Sequence, residues 1–288
     1  MPIGRTEPND KEAKITFVGH STTLVEMSGV RVLTDPIFRD KFRLLRRRSR
    51  VCTKCIDVDN LDAVVLSHMH FDHMDYPSLA MIPREVPIVA PVGAGRYLRR
   101  KVRHDVVEMK VGQTIRIGAM DIHATPSVHD SGFYWPLWYP KSVLSFVLSA
   151  SHTVLFVGDT ALFDDLRGVG RRFDIDVAML PVWGVGPYLR GHHMTPAEAA
   201  EALSLLSART AIPIHWGTIH PAGPVWKDMP FLTEPPLLFA RESARRAPMT
   251  EVRILSPGES TVIREESGGD SMFERLGIRS APSEAVPV

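Results

Sequence analysis

Four side chains that can bind a metal ion fall within six positions of the stretch SHMHFDHMD, residues 67–75. They are His68, His70, Asp72 and His73. A protein core does not tolerate many unpaired polar groups, because each loses free energy when it leaves water. A surface loop has no need of three histidines. We therefore interpret the stretch as part of a metal site, against the alternative of a polar surface turn.

Three further candidate ligands follow apolar segments later in the chain. His129 lies in ATPSVHDSG, Asp159 in TVLFVGDT and His215 in AIPIHWGT, and each comes where a predicted strand ends. Strand ends gathered on one edge of a sheet sandwich would bring these side chains close to the first group. The sequence therefore predicts a single site built from distant segments.

The ligand types narrow the choice of metal. Imidazole and carboxylate without thiolate suit Zn²⁺, with Mn²⁺ or Fe²⁺ as alternatives. Seven ligands exceed one tetrahedral shell, so the simplest interpretation is two divalent cations ~3.5–4 Å apart. Such a pair activates water near neutral pH, and we expect attack on phosphorus or on an ester carbonyl.

Two residues are predicted to be catalytic rather than only structural. Asp72 is expected to orient the attacking water as well as bind metal. His193 precedes a helix capped by Thr195, and helix N-termini favour anions, so we expect it to contact a phosphate oxygen or assist the leaving group. His20 and Asp35 are left open, as residues that orient a ligand or as a buried histidine and a turn residue.

The elements that position these residues are mostly strands. KITFVGH, TTLVEM and VRVLTDP predict a β-hairpin extended by a third run, with a turn at Ser28–Gly29. TIRIGAMDIHATP is read as one strand, and residues 195–209 as a helix with Thr195 as N-cap and Glu198 completing a capping box. The pattern favours an α+β fold, an αββα four-layer sandwich.

Composition sets the remaining limits. Of 288 residues, 44% are hydrophobic, which is enough for a sizeable core, and the net charge of +1 does not by itself point to a nucleic-acid or membrane partner. We expect one domain over 14–265, with a loose lead-in (1–13) and tail (266–288). No signal peptide or membrane span is apparent, so we expect a soluble cytoplasmic protein. Cys52 and Cys55 are read as ordinary, partly buried thiols.

Two segments beside the predicted site have open roles. The basic run 39–50 is either a solvated face or an attractor of phosphate, nucleic acid or an anionic membrane. The aromatic run 133–140 is either an apolar wall for an acyl or aryl group or a loop anchored in the core. We expect Trp135 or Trp138 to line the cleft.

The motifs resemble the metallo-β-lactamase superfamily, in which an HxHxDH run is followed by the later histidine, aspartate and histidine in this order. ITFVGHSTTLVEMSGVRVLTDPIF, DAVVLSHMHFDHMD, HHMTPAEAAEAL and PIHWGT look like the branch that contains N-acyl-phosphatidylethanolamine-hydrolysing phospholipase D and ascorbate-6-phosphate lactonase-like proteins. The resemblance implies three sets of ligands: His68, His70 and His129 on one metal, Asp72, His73 and His215 on the other, and Asp159 bridging both.

The leading functional hypothesis is a dinuclear metal-dependent hydrolase of phosphodiesters, either phospholipase D-like or acting on small diesters. The alternatives are a lactone or carboxylic-ester hydrolase, a metal-dependent nuclease and a non-catalytic metal protein. We expect a small-molecule or lipid-like phosphoester substrate and no stable nucleic-acid partner. Peripheral membrane contact and the oligomeric state are left open.

Overall fold

The computed structural model describes residues 11–42, 45–48, 51, 56–130, 142–184, 191–223, 226 and 229–264. The strands, in chain order, are β1 (Glu12–Gly19), β2 (Thr22–Met27), β3 (Val30–Thr34), β4 (Lys41–Phe42), β5 (Leu45–Arg47), β6 (Ala63–Val65), β7 (Ile88–Pro91), β8 (Val106–Met109), β9 (Thr114–Ile117), β10 (Met120–Pro126), β11 (Leu144–Ser149), β12 (Thr153–Phe156), β13 (Val177–Pro181), β14 (Thr210–Ile214), β15 (Ile219–Pro221), β16 (Glu251–Val252) and β17 (Ser260–Arg264). The α-helices are α1 (Tyr76–Leu79), α2 (Gly95–Lys101), α3 (Leu166–Arg172), α4 (Pro196–Leu206) and α5 (Glu234–Arg246), and short 3₁₀ turns cover Val58–Asn60 and Pro230–Leu232.

The strands form two seven-stranded mixed sheets. The first has the order β17-β1-β2-β3-β6-β7-β8, and the second has the order β16-β14-β13-β12-β11-β10-β9. Each sheet joins an antiparallel half to a parallel half: β3 pairs in parallel with β6, and β12 pairs in parallel with β13. Parallel neighbours need crossover connections, which explains why the helices follow these halves of the sheets.

Three apolar clusters show how the layers pack. The middle cluster joins inward-facing residues of both sheets, including the fully buried Phe17, Phe146 and Phe156. A second cluster packs the outer face of the first sheet against residues such as Leu79 of α1 and Leu98 of α2. A third packs the outer face of the second sheet against α3, α4 and α5. The αββα sandwich predicted from the sequence is therefore confirmed.

Two predicted elements differ from the structure. The segment read as one strand is the hairpin β9–β10, because Gly118 takes φ +55° in the turn between them. The helix predicted to reach residue 209 ends at Leu206, where Ser207 adopts left-handed φ +54°. Its start is as predicted: the backbone N–H of Glu198 donates to the Thr195 hydroxyl, and its carboxylate accepts from the Thr195 N–H at 2.8 Å.

A third, three-stranded sheet with the order β15-β5-β4 was not predicted, and it uses part of the basic run 39–50. Arg47 is buried and donates to the Ile37 carbonyl, and Arg39 Nε donates to the Asp75 carboxylate at 2.9 Å. Two charges of the run therefore support the fold.

The first and last described strands lie close to the predicted domain boundaries, 14 and 265. Strand β1 begins at Glu12, two residues before the expected domain boundary, and β17 ends at Arg264. The proposed division into one domain with loose ends stays a prediction. The aromatic run 133–140 and the two cysteines lie outside the described residues. Among the described residues, no helix is long and apolar enough to cross a bilayer.

Candidate metal centre

The HxHxDH run lies where β6 leaves the first sheet and turns into α1. The chain reaches His68 at the end of the buried run, and the backbone N–H of His73 donates to the carbonyl of His70 at 3.0 Å, closing a turn. Asp75 then caps α1 by accepting from the backbone N–H of Ser78 at 3.1 Å. This turn brings His73 back beside His68, with 4.2 Å between the ring centroids.

Asp35 fixes the orientation of two of these histidines. Its carboxylate accepts from the Ser67 N–H at 2.7 Å, from the Ser67 hydroxyl at 2.6 Å and from His73 Nδ1 at 2.7 Å. Because the Ser67 proton is used on Asp35, the 2.9 Å contact between Ser67 Oγ and His68 Nδ1 makes His68 the donor. Both rings therefore carry the proton on Nδ1 and leave Nε2 free to bind metal, the arrangement that orients metal-binding histidines.

His129 is held in the same way from a different segment. Its Nδ1 donates to the carbonyl of His192 at 2.7 Å, so its Nε2 carries no proton and could bind metal. That Nε2 lies 3.1 Å from His70 Nδ1. Residues 59 positions apart in the chain therefore place two ring nitrogens side by side.

Asp159 lies at the centre of the cluster, three residues after the end of β12, and is 1% exposed. Distances from its carboxylate oxygens to ring nitrogens are 3.1 Å for His73, 3.2 Å for His215, 3.6 Å for His193, and 3.9 Å for both His68 and His129. The preceding Gly158 has φ +59°, and a Cβ there would lie 2.5 Å from Ser67 Cβ. Glycine at this position therefore allows the strand end to approach the HxHxDH turn closely.

Asp72 and His215 meet on the opposite side of Asp159, together with His20. Asp72 Oδ2 is 3.2 Å from His20 Nε2 and 3.7 Å from His215 Nε2. The backbone N–H of His215 donates to the His20 carbonyl at 2.8 Å. Both histidines have positive φ, +60° and +59°, a conformation that costs free energy for a non-glycine residue and that the surrounding structure must hold. The 2.7 Å hydrogen bond from the His20 N–H to Thr218 Oγ1 is one such restraint.

The structure thus brings all seven predicted ligands together. In each of several groups, one possible ligand atom per residue lies within 4.8 Å of the others. Two of these groups share no residue: His68, His70, His129 and Asp159 form one, and His20, Asp72, His73 and His215 form the other. A third group consists of Asp159, His193 and His215. It shares Asp159 with the first of these two groups and His215 with the second.

The electrostatics of the cluster favour a cation. Burial acts to raise the pKa of Asp72 and Asp159, but the surrounding imidazoles outweigh it and hold both pKa values well below the usual range. Burial acts to lower the pKa of His215, yet Asp159 raises it to about 9. Burial dominates at His68, whose pKa lies well below its usual value. Two carboxylates thus create a negative potential that a bound cation would neutralise.

Unpartnered buried atoms give a direct test of whether a metal fits. Among the described residues of the centre, the buried atoms that make no well-aligned hydrogen bond are His68 Nε2, His73 Nε2, His193 Nδ1, both ring nitrogens of His215, and Asp159 Oδ1. A buried polar atom without a partner costs about 1–3 kcal/mol, so a cluster of them is costly unless something binds there. These donors are the nitrogen and oxygen types that a divalent transition metal or zinc ion accepts.

The structure places His193 at the centre, beside the predicted ligands Asp159 and His215. Its predicted role towards a phosphate oxygen or the leaving group stays a prediction. The His193 ring lies against Gly184, where φ is +116° and a Cβ would lie 2.6 Å from His193 Nδ1. It lines the cleft above Asp159.

The centre opens into a cleft of about 320 Å³. Its polar lining residues include His20, His70, Asp72, Asp159, His193 and His215. Its apolar lining residues include Trp183, Trp216, Ile219, Phe231 and Leu232. The predicted tryptophans of 133–140 lie outside the described residues, and of the observed apolar residues only Trp216 lies in a motif that the sequence singled out, PIHWGT.

Sequence reasoning left His20 and Asp35 undecided, and it overlooked Ser67. The signal for His20 was its place directly after β1, because Asp159 and His215 also follow the ends of strands. The signal for Asp35 was similar, since it follows β3. Both now have defined contacts: His20 with Asp72, and Asp35 with His73.

Comparisons with known proteins agree with this geometry. Residues 30–216 match a family model described as a beta-lactamase superfamily domain. A UPF0173 metal-dependent hydrolase of Deinococcus radiodurans is 32% identical over 250 residues, covering 86% of this chain and 98% of that protein.

Two more distant relatives extend the comparison. N-acyl-phosphatidylethanolamine-hydrolyzing phospholipase D 1 of Caenorhabditis elegans is 29% identical over 72% of this chain, and the match spans 64% of that protein. Among solved structures, Igni18, a metallo hydrolase of the archaeon Ignicoccus hospitalis, superposes with a TM-score of 0.68 at 21% identity, covering 88% of this chain and all of that one. The chain therefore belongs to the metallo-β-lactamase superfamily and is a metal-dependent hydrolase.

Proposed function

We propose that the centre holds two divalent cations and hydrolyses phosphodiesters. The observation that carries this proposal is the position of Asp159 between two sets of nitrogen and oxygen donors, each large enough for one ion. Two adjacent cations form a clamp suited to in-line displacement at phosphorus, because they stabilise both the attacking and the leaving oxygen.

The proposed ligand sets follow the two groups. His68, His70 and His129 would hold one ion, Asp72, His73 and His215 the other, and Asp159 would contact both. Zn²⁺ is the proposed metal, with Mn²⁺ or Fe²⁺ as alternatives, because the donors are imidazole and carboxylate without thiolate. When bound, the cations would supply activated water near neutral pH and offset negative charge on the substrate.

Asp72 is the proposed residue that orients the attacking water. It lines the cleft, and its side chain is 20% exposed, whereas that of Asp159 is 1% exposed. His20 holds one of its oxygens at 3.2 Å, which leaves the other oxygen for metal or water. His20 is thus proposed as a positioning residue for Asp72.

His193 is proposed to contact the substrate. Its Nδ1 faces Asp159 at 3.6 Å, so the other ring nitrogen remains to donate to a non-bridging or leaving-group oxygen. A general acid or hydrogen-bond donor of this kind typically contributes 10²–10⁴-fold to the rate. The name of the nematode relative, a phospholipase D, adds support for a phosphodiester over other esters.

The direct test is hydrolysis by purified, metal-loaded protein. Bis(p-nitrophenyl) phosphate should be turned over, and EDTA should abolish turnover until Zn²⁺ or Mn²⁺ is added back. Asp72→Asn should lower kcat by at least about 10²-fold if it orients the water. His123→Ala is a matched control, because His123 lies on β10 with its Nδ1 on Thr114 and outside the centre.

Paired substrates decide between reaction classes. Hydrolysis of an acyl-lactone or p-nitrophenyl ester without any phosphodiester turnover would overturn the proposed bond specificity and favour the lactonase or esterase alternative. Cleavage of RNA or DNA with affinity that falls steeply with salt would favour a nuclease. Retained activity in Asp72→Asn would contradict the role given to Asp72.

A further inference from the structure

Three aromatic residues line the cleft beside the metal centre, and this aromatic wall carries an inference about the substrate. Trp183, Trp216 and Phe231 are each partly exposed, and all three line the cleft. Trp183 and Phe231 lie 6.2 Å apart between ring centroids with an interplanar angle of 11°, an offset-stacked pair. Aromatic faces left partly open to a cleft are binding surfaces for another ring.

Both ends of the wall are fixed to residues of the centre. Trp183 directly precedes Gly184, against which the His193 ring packs. Trp216 directly follows His215. A group seated on the wall would therefore share the cleft with His193 and His215, beside which the reacting bond would lie.

Contacts with the core and with the backbone also hold Trp216 and the turn that carries Phe231 in place. Trp216 stacks on the fully buried Phe17 with 6.0 Å between centroids, and its Nε1 donates to the Pro213 carbonyl at 2.9 Å. Gly217 has φ +63°, and a Cβ there would lie 2.6 Å from the Leu232 carbonyl oxygen. This close approach joins the loop after β14 to the turn that carries Phe231.

We propose that the cleft selects phosphoesters that carry a flat aryl group, which seats on Trp183, Trp216 and Phe231. The proposal rests on the proposed function, since the centre supplies the contact to the phosphoryl group. A planar ring gains more from such a wall than a saturated ring of similar size, because it can adopt offset-stacked or edge-to-face contacts. In hydrolysis, water oxygen would form the new bond to phosphorus and the aryloxy or alkoxy oxygen would leave with a proton.

The test uses three product-like probes that carry one organic group each: phenylphosphonate, cyclohexylphosphonate and methylphosphonate. Their dissociation constants are measured by calorimetry on the metal-loaded protein. We expect phenylphosphonate to bind at least about tenfold more tightly than methylphosphonate, and more tightly than cyclohexylphosphonate. Trp183→Ala and Phe231→Leu should each remove most of the phenyl preference, the second while keeping an apolar side chain at the position.

Trp226→Ala is the matched control. Trp226 is 40% exposed, lies 6.4 Å from Phe231 between ring centroids, and is not among the cleft-lining residues described. It should leave the phenyl preference unchanged. Thermal unfolding of each variant confirms that it is folded.

The outcomes separate this inference from the proposed reaction. Equal affinity for all three phosphonates, tighter binding of the cyclohexyl compound, or no binding of any of them would overturn the aryl wall. The aryl wall would also be overturned if Trp226→Ala lost as much of the phenyl preference as Trp183→Ala does. If the phenyl preference holds and depends on Trp183, but bis(p-nitrophenyl) phosphate is not hydrolysed, the wall stands and the proposed reaction fails.

Discussion

His73 Nδ1 lies 2.7 Å from Asp35 Oδ2, and neither side chain is exposed to solvent. Asp35 follows β3 and His73 lies in the turn before α1, so this contact ties the antiparallel half of the first sheet to the HxHxDH run. Through Ser67 the same carboxylate also orients His68. One buried aspartate thus determines which ring nitrogen can bind metal in one histidine of each donor group, His68 and His73.

Asp35→Asn should therefore lower metal affinity. An asparagine retains the shape but has one acceptor oxygen. With that oxygen in place of Oδ1, the contacts with His73 and the Ser67 hydroxyl are lost, and with it in place of Oδ2, the contact with the Ser67 N–H is lost. Removing a partner that orients a metal-binding histidine typically costs about 10–100-fold in metal affinity or activity. Competition with a chromophoric chelator measures the affinity. As a control, Asp176→Ala removes a carboxylate that accepts from the Thr153 N–H and from Arg209 outside the centre, and it should lower stability but leave metal affinity unchanged.

Gly184→Ala should lower the catalytic rate without loss of bound metal. The new methyl group would collide with the His193 ring, and the φ of +116° disfavours any residue other than glycine. We expect kcat/KM to fall by at least about tenfold while the metal content per chain stays at the wild-type value. Parallel kinetics and elemental analysis check this, and wild-type kinetics in the variant would show that the position of His193 is unimportant.

Removing the metal should destabilise the fold. A ligand that binds only the native state stabilises it by RT ln(1 + [L]/Kd), which is about 2.7 kcal/mol at a hundredfold excess over Kd. The melting temperature should therefore fall by several degrees after EDTA treatment and recover on addition of Zn²⁺. A melting temperature insensitive to EDTA, in protein shown to have lost its metal, would argue against coupling between binding and folding.

Thr195→Ala tests the predicted start of α4. The variant loses the hydroxyl that accepts from the Glu198 N–H and donates to the Glu198 carboxylate, which should cost about 1 kcal/mol of unfolding free energy. Chemical denaturation measures the change. Ser204→Ala, at an exposed position in the same helix, should change stability by less than about 0.5 kcal/mol. Equal losses in the two variants would contradict the importance of the cap.

The sequence predicted the sandwich and the meeting of strand-end side chains because both depend on local signals. Apolar runs mark strands, and polar residues directly after them mark one rim, as for Asp159 and His215. The hairpin β9–β10 was misread because a single glycine, Gly118, makes the turn within a continuous β-rich segment. The small sheet of β4, β5 and β15 has strands of two or three residues, too short for periodicity to show.

The apolar side of the cleft could not have been predicted in this way. Trp183 and Phe231 are 48 positions apart in the sequence and meet only because β13 and the turn before α5 converge beside the centre. Asp35 and His20 have the same character: their roles depend on partners 38 and 52 positions away. A single sequence contains no signal for such pairs.

The number of cations per chain tests the central claim most directly. Purified protein saturated with Zn²⁺ and freed of excess metal should contain two equivalents per chain by elemental analysis, and Asp159→Ala should retain no more than one, because it removes the carboxylate between the donor groups. One equivalent in the saturated wild-type protein, or two in Asp159→Ala, would contradict a two-cation centre joined by Asp159.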